Sequence, residues 1–127
     1  MLRLRKRHEY EAVFAYDCVV SSRLFVVRAK PNGLSSPRLG IVASKKVLPR
    51  AVDRNRGKRL ARETFRLALH GLAALDIVVQ LRTGLAKRGL AKRNNGIARQ
   101  ELLTLFAGLD GRLASREPPS AGAAVEN

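Results

Sequence analysis

Arginine and lysine side chains between residues 54 and 66 supply the chemistry that binds phosphate groups. If this segment is a helix, with 100° between successive residues, its small and apolar side chains fall within an arc of about 140°. Exposed helices usually alternate charge signs for i,i+4 pairing, whereas only Glu63 interrupts the positive charge here. The pattern therefore predicts a rigid polyanion-binding surface. We call it the basic helix face, and it consists of Arg54, Asn55, Arg56, Lys58, Arg59, Arg62 and Arg66.

A second candidate site lies near the amino terminus. Residues from about 7 to 16 have the spacing of a short helix, which places the rings of Tyr10 and Phe14 on one side. Two interpretations stay open for these rings. Either both belong to the core, or they line a groove beside Arg5 and Lys6 in which unpaired bases stack.

Protein groups for catalysis are sparse in this chain. The carboxylates are scattered, and no spacing indicates a metal-binding or general acid–base pair. Cys18 is the single cysteine and the histidines are His8 and His70, which excludes a cysteine-rich zinc site. No Walker-type phosphate loop is present. We expect no catalytic residue, no metal ligand and no cofactor held by this chain, so a protein-only nuclease is the least favoured class.

The charge distribution favours nucleic acid as the partner. The net charge is +15, and residues 1–99 hold 23 basic against 6 acidic residues. A basic membrane-surface helix is the competing interpretation, but it requires large apolar residues on its free face. Aromatic residues beside basic ones suit single-stranded RNA. We expect no membrane partner, no DNA partner and no obligate protein partner.

The length of 127 residues predicts one domain, which we place at 1–112, followed by a disordered tail at 113–127. No apolar run reaches the length of a transmembrane helix. The basic amino terminus is followed by His8-Glu9-Tyr10-Glu11 and not by an apolar stretch, so secretion is not expected. The sequence therefore predicts a cytoplasmic protein.

The remaining pattern predicts an α+β fold in the order α-β-β(β)-α-β-α, a two-layer sandwich with one mixed sheet packed by helices. Strands are expected at 23–30, 38–45 and 76–82, with the first two forming an antiparallel hairpin and the third central. The basic helix should run from Val52 or Asp53 to about residue 70, and a final helix should cover 97–109. If 38–45 and 76–82 are parallel, a right-handed crossover is the general expectation.

Two features of this outline are unusual. Gly57 costs its helix about 1 kcal/mol relative to alanine, so we expect either a strand or a ligand to approach closely there. Residues 84–96 contain a small tandem repeat, which we interpret as a mobile basic loop.

The motifs of this chain resemble those of the protein subunit of bacterial ribonuclease P. The core of the resemblance is Arg54-Asn55-Arg56-x-Lys58-Arg59-x-x-Arg62-Glu63-x-Phe65-Arg66. It is preceded by Arg38-Leu39-Gly40-x-x-x-Ser44-Lys45-Lys46, and the similarity runs from about Leu4 to Leu109. It also includes Leu4-Arg5-Lys6, Tyr10, Phe14, Arg23-Leu24-Phe25 and Asp76.

The resemblance implies a ribonucleoprotein endonuclease that removes the 5′ leader from precursor tRNA, with the catalytic centre and its Mg²⁺ ions in the RNA subunit. The basic helix face would then bind the RNA subunit. A cleft would bind the leader through Arg5, Lys6, Tyr10, Phe14, Arg28 and Lys45. The resemblance also implies a left-handed crossover around the basic helix. The alternative is a non-catalytic structural RNA-binding protein, such as a ribosomal protein.

This chain departs from the family pattern at three positions. Tyr10 stands where phenylalanine is usual, and Gly57 stands where a bulky aliphatic residue is usual. Arg28 occupies a strand position from which some members present a tyrosine, so contacts to the leader there become electrostatic.

Overall fold

The computed structural model describes residues 2–85 and 95–116 as a five-stranded mixed sheet with helices on both faces. In chain order the elements are β1 (Leu2–Arg3), α1 (Arg7–Tyr16), β2 (Val19–Ser21), β3 (Phe25–Pro31), β4 (Arg38–Val42), α2 (Ala51–Ala68), β5 (Leu75–Leu81) and α3 (Asn95–Arg116). A 3-10 turn at Leu69–Gly71 ends α2 near the predicted stop. The strand order is β1-β4-β5-β3-β2.

β5 lies at the centre of the sheet, as its apolar sequence predicted. It pairs parallel with β4 and antiparallel with β3. The predicted hairpin between 23–30 and 38–45 is therefore wrong, because β5 inserts between those two strands. The hairpin is formed instead by β2 and β3. The connection from β4 to β5 through α2 joins parallel neighbours, and its left-handed sense stays a prediction.

The two faces of β5 belong to different cores, because successive side chains of a strand point to opposite sides. On one face, Ile77 and Val79 join buried side chains of α2 and α3: Leu60, Phe65, Leu102 and Phe106. On the other face, Val78 packs with Val13 of α1 and with Leu4. The α+β class with one mixed sheet is confirmed. The layer count is corrected, because α1 adds a third layer to the two that were predicted.

α2 buries the predicted apolar arc against the sheet. Five residues of that arc are buried: Gly57, Leu60, Ala61, Thr64 and Phe65. The close approach at Gly57 comes from a strand and not from a ligand. A Cβ atom at residue 57 would lie 2.6 Å from Cδ1 of Leu81 in β5. The helix begins at Ala51, slightly earlier than predicted.

Three predicted boundaries change. β4 ends at Val42 rather than at 45, because a turn follows in which the N–H of Leu48 donates to the carbonyl of Ser44 over 2.8 Å. α3 runs to Arg116, so residues 113–116 of the predicted disordered tail are helical. Residues 95–96 of the predicted basic loop also belong to α3. Leu85 of that loop is buried in the main core, so the prediction of a mobile loop is wrong at this residue. Residues 86–94 of the loop and 117–127 of the tail lie outside the described residues.

Candidate nucleic-acid interface

α2 presents a basic surface on the side that faces away from the sheet. Asn55, Arg56, Arg59 and Arg66 are exposed, whereas Arg54, Lys58 and Arg62 are half-buried. Glu63, the one acid in this segment, lies 3.8 Å from the guanidinium of Arg99 in α3. Within the described ranges, no carboxylate forms an ion pair with Arg56, Arg59 or Arg66. Their guanidinium groups are therefore available to an external anion.

Arg54 has a structural role that the helical pattern did not reveal. Its Nη1 donates to the backbone carbonyls of Leu48 and Pro49, each over 2.8 Å. These bonds tie the segment before α2 to the first turn of the helix. Arg54 therefore belongs to the basic helix face by position, while part of its donor capacity is used inside the protein.

Phe14 is exposed on the face of the sheet that carries α1. Its exposed fraction of 39% contradicts the interpretation that it belongs to the core. The guanidinium carbon of Arg28 lies 4.8 Å from the ring centroid, within the range of a cation–π contact. Nη1 of Arg28 also donates to Oε1 of Gln80 over 2.8 Å. Together, Phe14, Arg28 and Gln80 form a surface with an aromatic ring and N–H donors.

Gln80 was not among the predicted site residues. β5 contains two polar residues, Asp76 and Gln80, which lie on the same face because they are four residues apart. That alternation was the available signal, but the apolar start of the strand concealed it.

Tyr10 lies one helical turn before Phe14 and packs towards the sheet. Its ring lies against Gly40, where a Cβ atom would come within 2.7 Å of two ring carbons. Its hydroxyl donates to the carbonyl of Leu4 over 3.4 Å. Tyr10 lines a cavity of about 210 Å³ at the edge of β4, together with three basic side chains: Arg3, Lys58 and Arg62. The two predicted surfaces therefore meet around this edge of the sheet.

The other predicted leader-site residues come from separate elements. Arg5 and Lys6 precede α1, and their backbone N–H groups donate to Oε1 of Glu9 over 2.8 and 2.9 Å. Lys45 lies in the turn after β4. All three side chains are exposed. Among the described residues, the cation over the Phe14 ring is Arg28 and none of these three.

A charged network connects α1 to the sheet. Arg38 donates to both carboxylate oxygens of Asp76, over 2.8 and 2.7 Å, and to Oε2 of Glu9 over 3.0 Å. The backbone N–H groups of Lys6 and Arg5, followed by the charge of Arg38, lower the pKa of Glu9 to about 2. The hydrogen bond to Asp76 raises the pKa of Arg38 above its usual range. Sequence spacing gave no sign of this network.

Two further findings concern metal ions and membranes. No group of three or more His, Cys, Asp or Glu residues that could hold a metal ion occurs in residues 2–85 and 95–116. The helices of the same ranges include none that is both long and apolar enough to span a membrane.

Comparison with known proteins gives one family. A family model described as Ribonuclease P matches residues 1–109. The ribonuclease P protein component of Chromohalobacter salexigens is 43% identical over 109 residues, which cover 85% of this chain and 81% of that protein. The corresponding protein of Azoarcus sp. is 39% identical over 107 residues, covering 84% of this chain and 85% of that protein.

Solved structures agree with this result. The RNase P protein from Thermotoga maritima aligns with a TM-score of 0.73 and 33% identity, covering 84% of this chain and 96% of that one. The RNase P protein of Staphylococcus aureus gives a TM-score of 0.69 and 29% identity, covering 84% and 98%. These similarities do not favour the alternative of a structural ribosomal protein. The chain belongs to the family of bacterial ribonuclease P protein components.

Proposed function

We propose that this chain binds two RNAs in the ribonuclease P ribonucleoprotein. The basic helix face binds the RNA subunit, and the surface around Phe14 binds the single-stranded 5′ leader of precursor tRNA. The observation that carries the proposal is that unpaired arginines lie on α2, on one face of the sheet, while an exposed aromatic ring lies on the other face. The product of the reaction is the mature 5′ end of the tRNA.

Each surface suits the chemistry of its proposed partner. A folded RNA presents phosphates, and a helix fixed by its buried arc offers guanidinium groups at constant positions. A single-stranded leader presents the open faces of its bases. Stacking of a base on an aromatic side chain contributes about 1–3 kcal/mol. The ring of Phe14 and the N–H groups of Arg28 and Gln80 supply stacking and hydrogen bonding on one surface.

The RNA subunit carries the catalytic centre in this proposal. Mg²⁺ held by that RNA would supply the Lewis-acid chemistry of the cleavage. This chain contributes binding and orientation: its basic helix face holds the RNA subunit and its leader surface selects precursor over mature tRNA. The complex acts in the cytoplasm.

Reconstitution tests the division of labour. The purified chain alone should not cleave precursor tRNA, whereas addition of the RNA subunit at low Mg²⁺ should give 5′ maturation. Turnover by the chain without RNA would contradict the proposal.

Crosslinking tests the two surfaces. A photoreactive residue at position 59 should crosslink to the RNA subunit, and one at position 14 should crosslink to the leader. Crosslinks from both positions to the same RNA would contradict the assignment.

A further inference from the structure

We infer that Glu9 and Arg38 are positioning residues for the leader surface, because they set where α1 lies on the sheet. This inference rests on the proposed leader binding by α1. Neither residue belongs to the predicted set of leader-binding side chains.

Few apolar side chains fix α1 on the sheet, and one of them, the Tyr10 ring, is only partly buried. Val13 is the single buried side chain among the ten residues of the helix. It packs with Leu4 and Val78 in a cluster separate from the larger core. Burial of one such side chain contributes about 1.5–3 kcal/mol to the stability of the fold. The hydrophobic effect has no preferred direction, so this burial does not by itself orient the helix. Directional contacts therefore help to fix the angle and register of this helix.

Arg38 supplies such a contact between two strands and the helix. Its guanidinium group donates to both carboxylate oxygens of Asp76, the residue beside Arg38 on β5. The third bond, from Nη1 to Oε2 of Glu9, spans 3.0 Å. The side chains of Arg38, Asp76 and Glu9 are 22%, 9% and 17% exposed. This shielding from solvent distinguishes the network from an exposed ion pair, which contributes little to the stability of the fold.

Asp76 is itself fixed. Its Oδ1 accepts a hydrogen bond from Nδ2 of Asn32 over 3.0 Å, and the same nitrogen donates to the carbonyl of Ser36 over 3.1 Å. Hydrogen bonds to residues of the sheet therefore hold the Arg38 guanidinium group in place, independently of its bond to α1.

Glu9 connects Arg38 to the first turn of the helix. Its Oε1 accepts the backbone N–H groups of Arg5 and Lys6, while its Oε2 binds Arg38. This carboxylate therefore joins the start of α1 to β4. Both of its oxygens are occupied by donors, so rotation of the carboxylate would break bonds on either side.

Small movements at Glu9 matter at Phe14. Phe14 lies five residues along the helix, about 7.5 Å away along its axis. A rotation of about 10° at Glu9 would displace Phe14 by about 1 Å. A displacement of about 1 Å in a binding group can cost up to about 100-fold in rate. The contact of 4.8 Å between Arg28 and Phe14 would also be disturbed.

The test uses the holoenzyme reconstituted from the RNA subunit and Glu9→Gln protein. Steady-state kinetics compare a precursor with a long leader and a precursor with a leader of a single nucleotide, which offers at most one base to the proposed leader surface. We expect KM for the long-leader precursor to rise about five- to tenfold, a smaller effect than the rate loss of about 100-fold that a misplacement of about 1 Å can cause. Saturating kcat and the kinetics of the single-nucleotide precursor should stay unchanged. Arg38→Lys keeps the positive charge but cannot bind both carboxylate oxygens of Asp76 at once, so it should also raise KM for the long-leader precursor.

A matched control is available on the same helix. Glu11 pairs with Arg7 in solvent, at 63% and 92% side-chain exposure, so Glu11→Gln should leave both precursors unaffected. Affinity for the RNA subunit reports the fold separately, since Arg56, Arg59 and Arg66 lie on the side of α2 that faces away from the sheet. If Glu9→Gln does not fold, Glu9→Asp retains the charge and serves as the second variant.

The outcomes separate this inference from the function on which it rests. A Glu9→Gln holoenzyme with wild-type KM for the long leader overturns the positioning role. Equal losses on both precursors, or weaker RNA-subunit binding, also overturn it, because they indicate general destabilisation. If the wild-type holoenzyme itself does not distinguish the two leaders, the proposed leader surface fails.

Discussion

Substitution of Gly57 by alanine should destabilise the protein although alanine is the better helix former. In the interior of a helix, alanine is more favourable than glycine by about 1 kcal/mol of folding free energy. The new Cβ would lie 2.6 Å from Cδ1 of Leu81, whereas carbon atoms pack best at about 3.5–4.0 Å. Leu81 is 1% exposed and has little room to move, so overpacking should cost about 1–3 kcal/mol. We expect the free energy of unfolding to fall by about 1 kcal/mol on balance.

Removal of the Leu81 side chain should reverse the sign of this effect. In a Leu81→Ala background, Gly57→Ala meets no leucine methyl and should recover the full gain of about 1 kcal/mol. The coupling between the two sites would then be about 2 kcal/mol, within the range for residues in contact. Urea unfolding of the wild type, both single variants and the double variant measures this cycle.

Gly108 provides the matched control. It lies inside α3, and a Cβ atom there would meet no heavy atom within 4 Å. Gly108→Ala should therefore stabilise the protein by about 1 kcal/mol whether or not Leu81 is present. The reasoning is refuted if Gly57→Ala stabilises the wild type as much as Gly108→Ala does.

The remaining predictions concern RNA binding and pH. Replacing Arg56 and Arg59 with alanine should reduce the salt slope of RNA-subunit binding by about 0.7–0.9 per lost phosphate contact, measured as log K against log salt concentration. Arg54→Ala should lower the unfolding midpoint instead, since two carbonyls lose their donor. Phe14→Leu should fold normally and lose part of the holoenzyme's preference for precursor over mature tRNA, because the exposed ring stacks with a base. The stability difference between wild type and Glu9→Gln should shrink as the pH falls from 4.5 to about 2, as followed by denaturant unfolding.

The sign of the pH effect follows from the direction of the pKa shift. Folding lowers the pKa of Glu9, so its stabilisation is present above 4.5 and is lost as the pH falls towards 2. A difference that stays constant across this interval would contradict the role of the carboxylate. An unchanged salt slope for the arginine variants would mean that their side chains face solvent in the complex. Full precursor preference in Phe14→Leu would exclude base stacking on this ring.

Helical features of this protein were predictable because their signals are local. The buried arc of α2 repeats at 3.6 residues, and its exposed basic side follows directly from that repeat. The bounds of α1 were also predictable from residue spacing, and the central position of β5 was predictable from its apolar residues. The motif from Arg54 to Arg66 indicated the family, which the comparisons then confirmed.

Strand pairing and side-chain networks were decided by tertiary structure, because they join residues that are distant in the chain. The insertion of β5 between β3 and β4 replaces the local hairpin with pairings across more than 30 residues, such as Arg38 with Asp76. That arrangement places Arg28 beside Gln80 and Arg38 beside Asp76. The sequence by itself thus determined the basic helix face and the family. The tertiary structure placed the Tyr10 ring against Gly40, left Phe14 exposed and joined α1 to the sheet through Arg38, since contact between residues that are distant along the chain leaves no periodic pattern in the sequence.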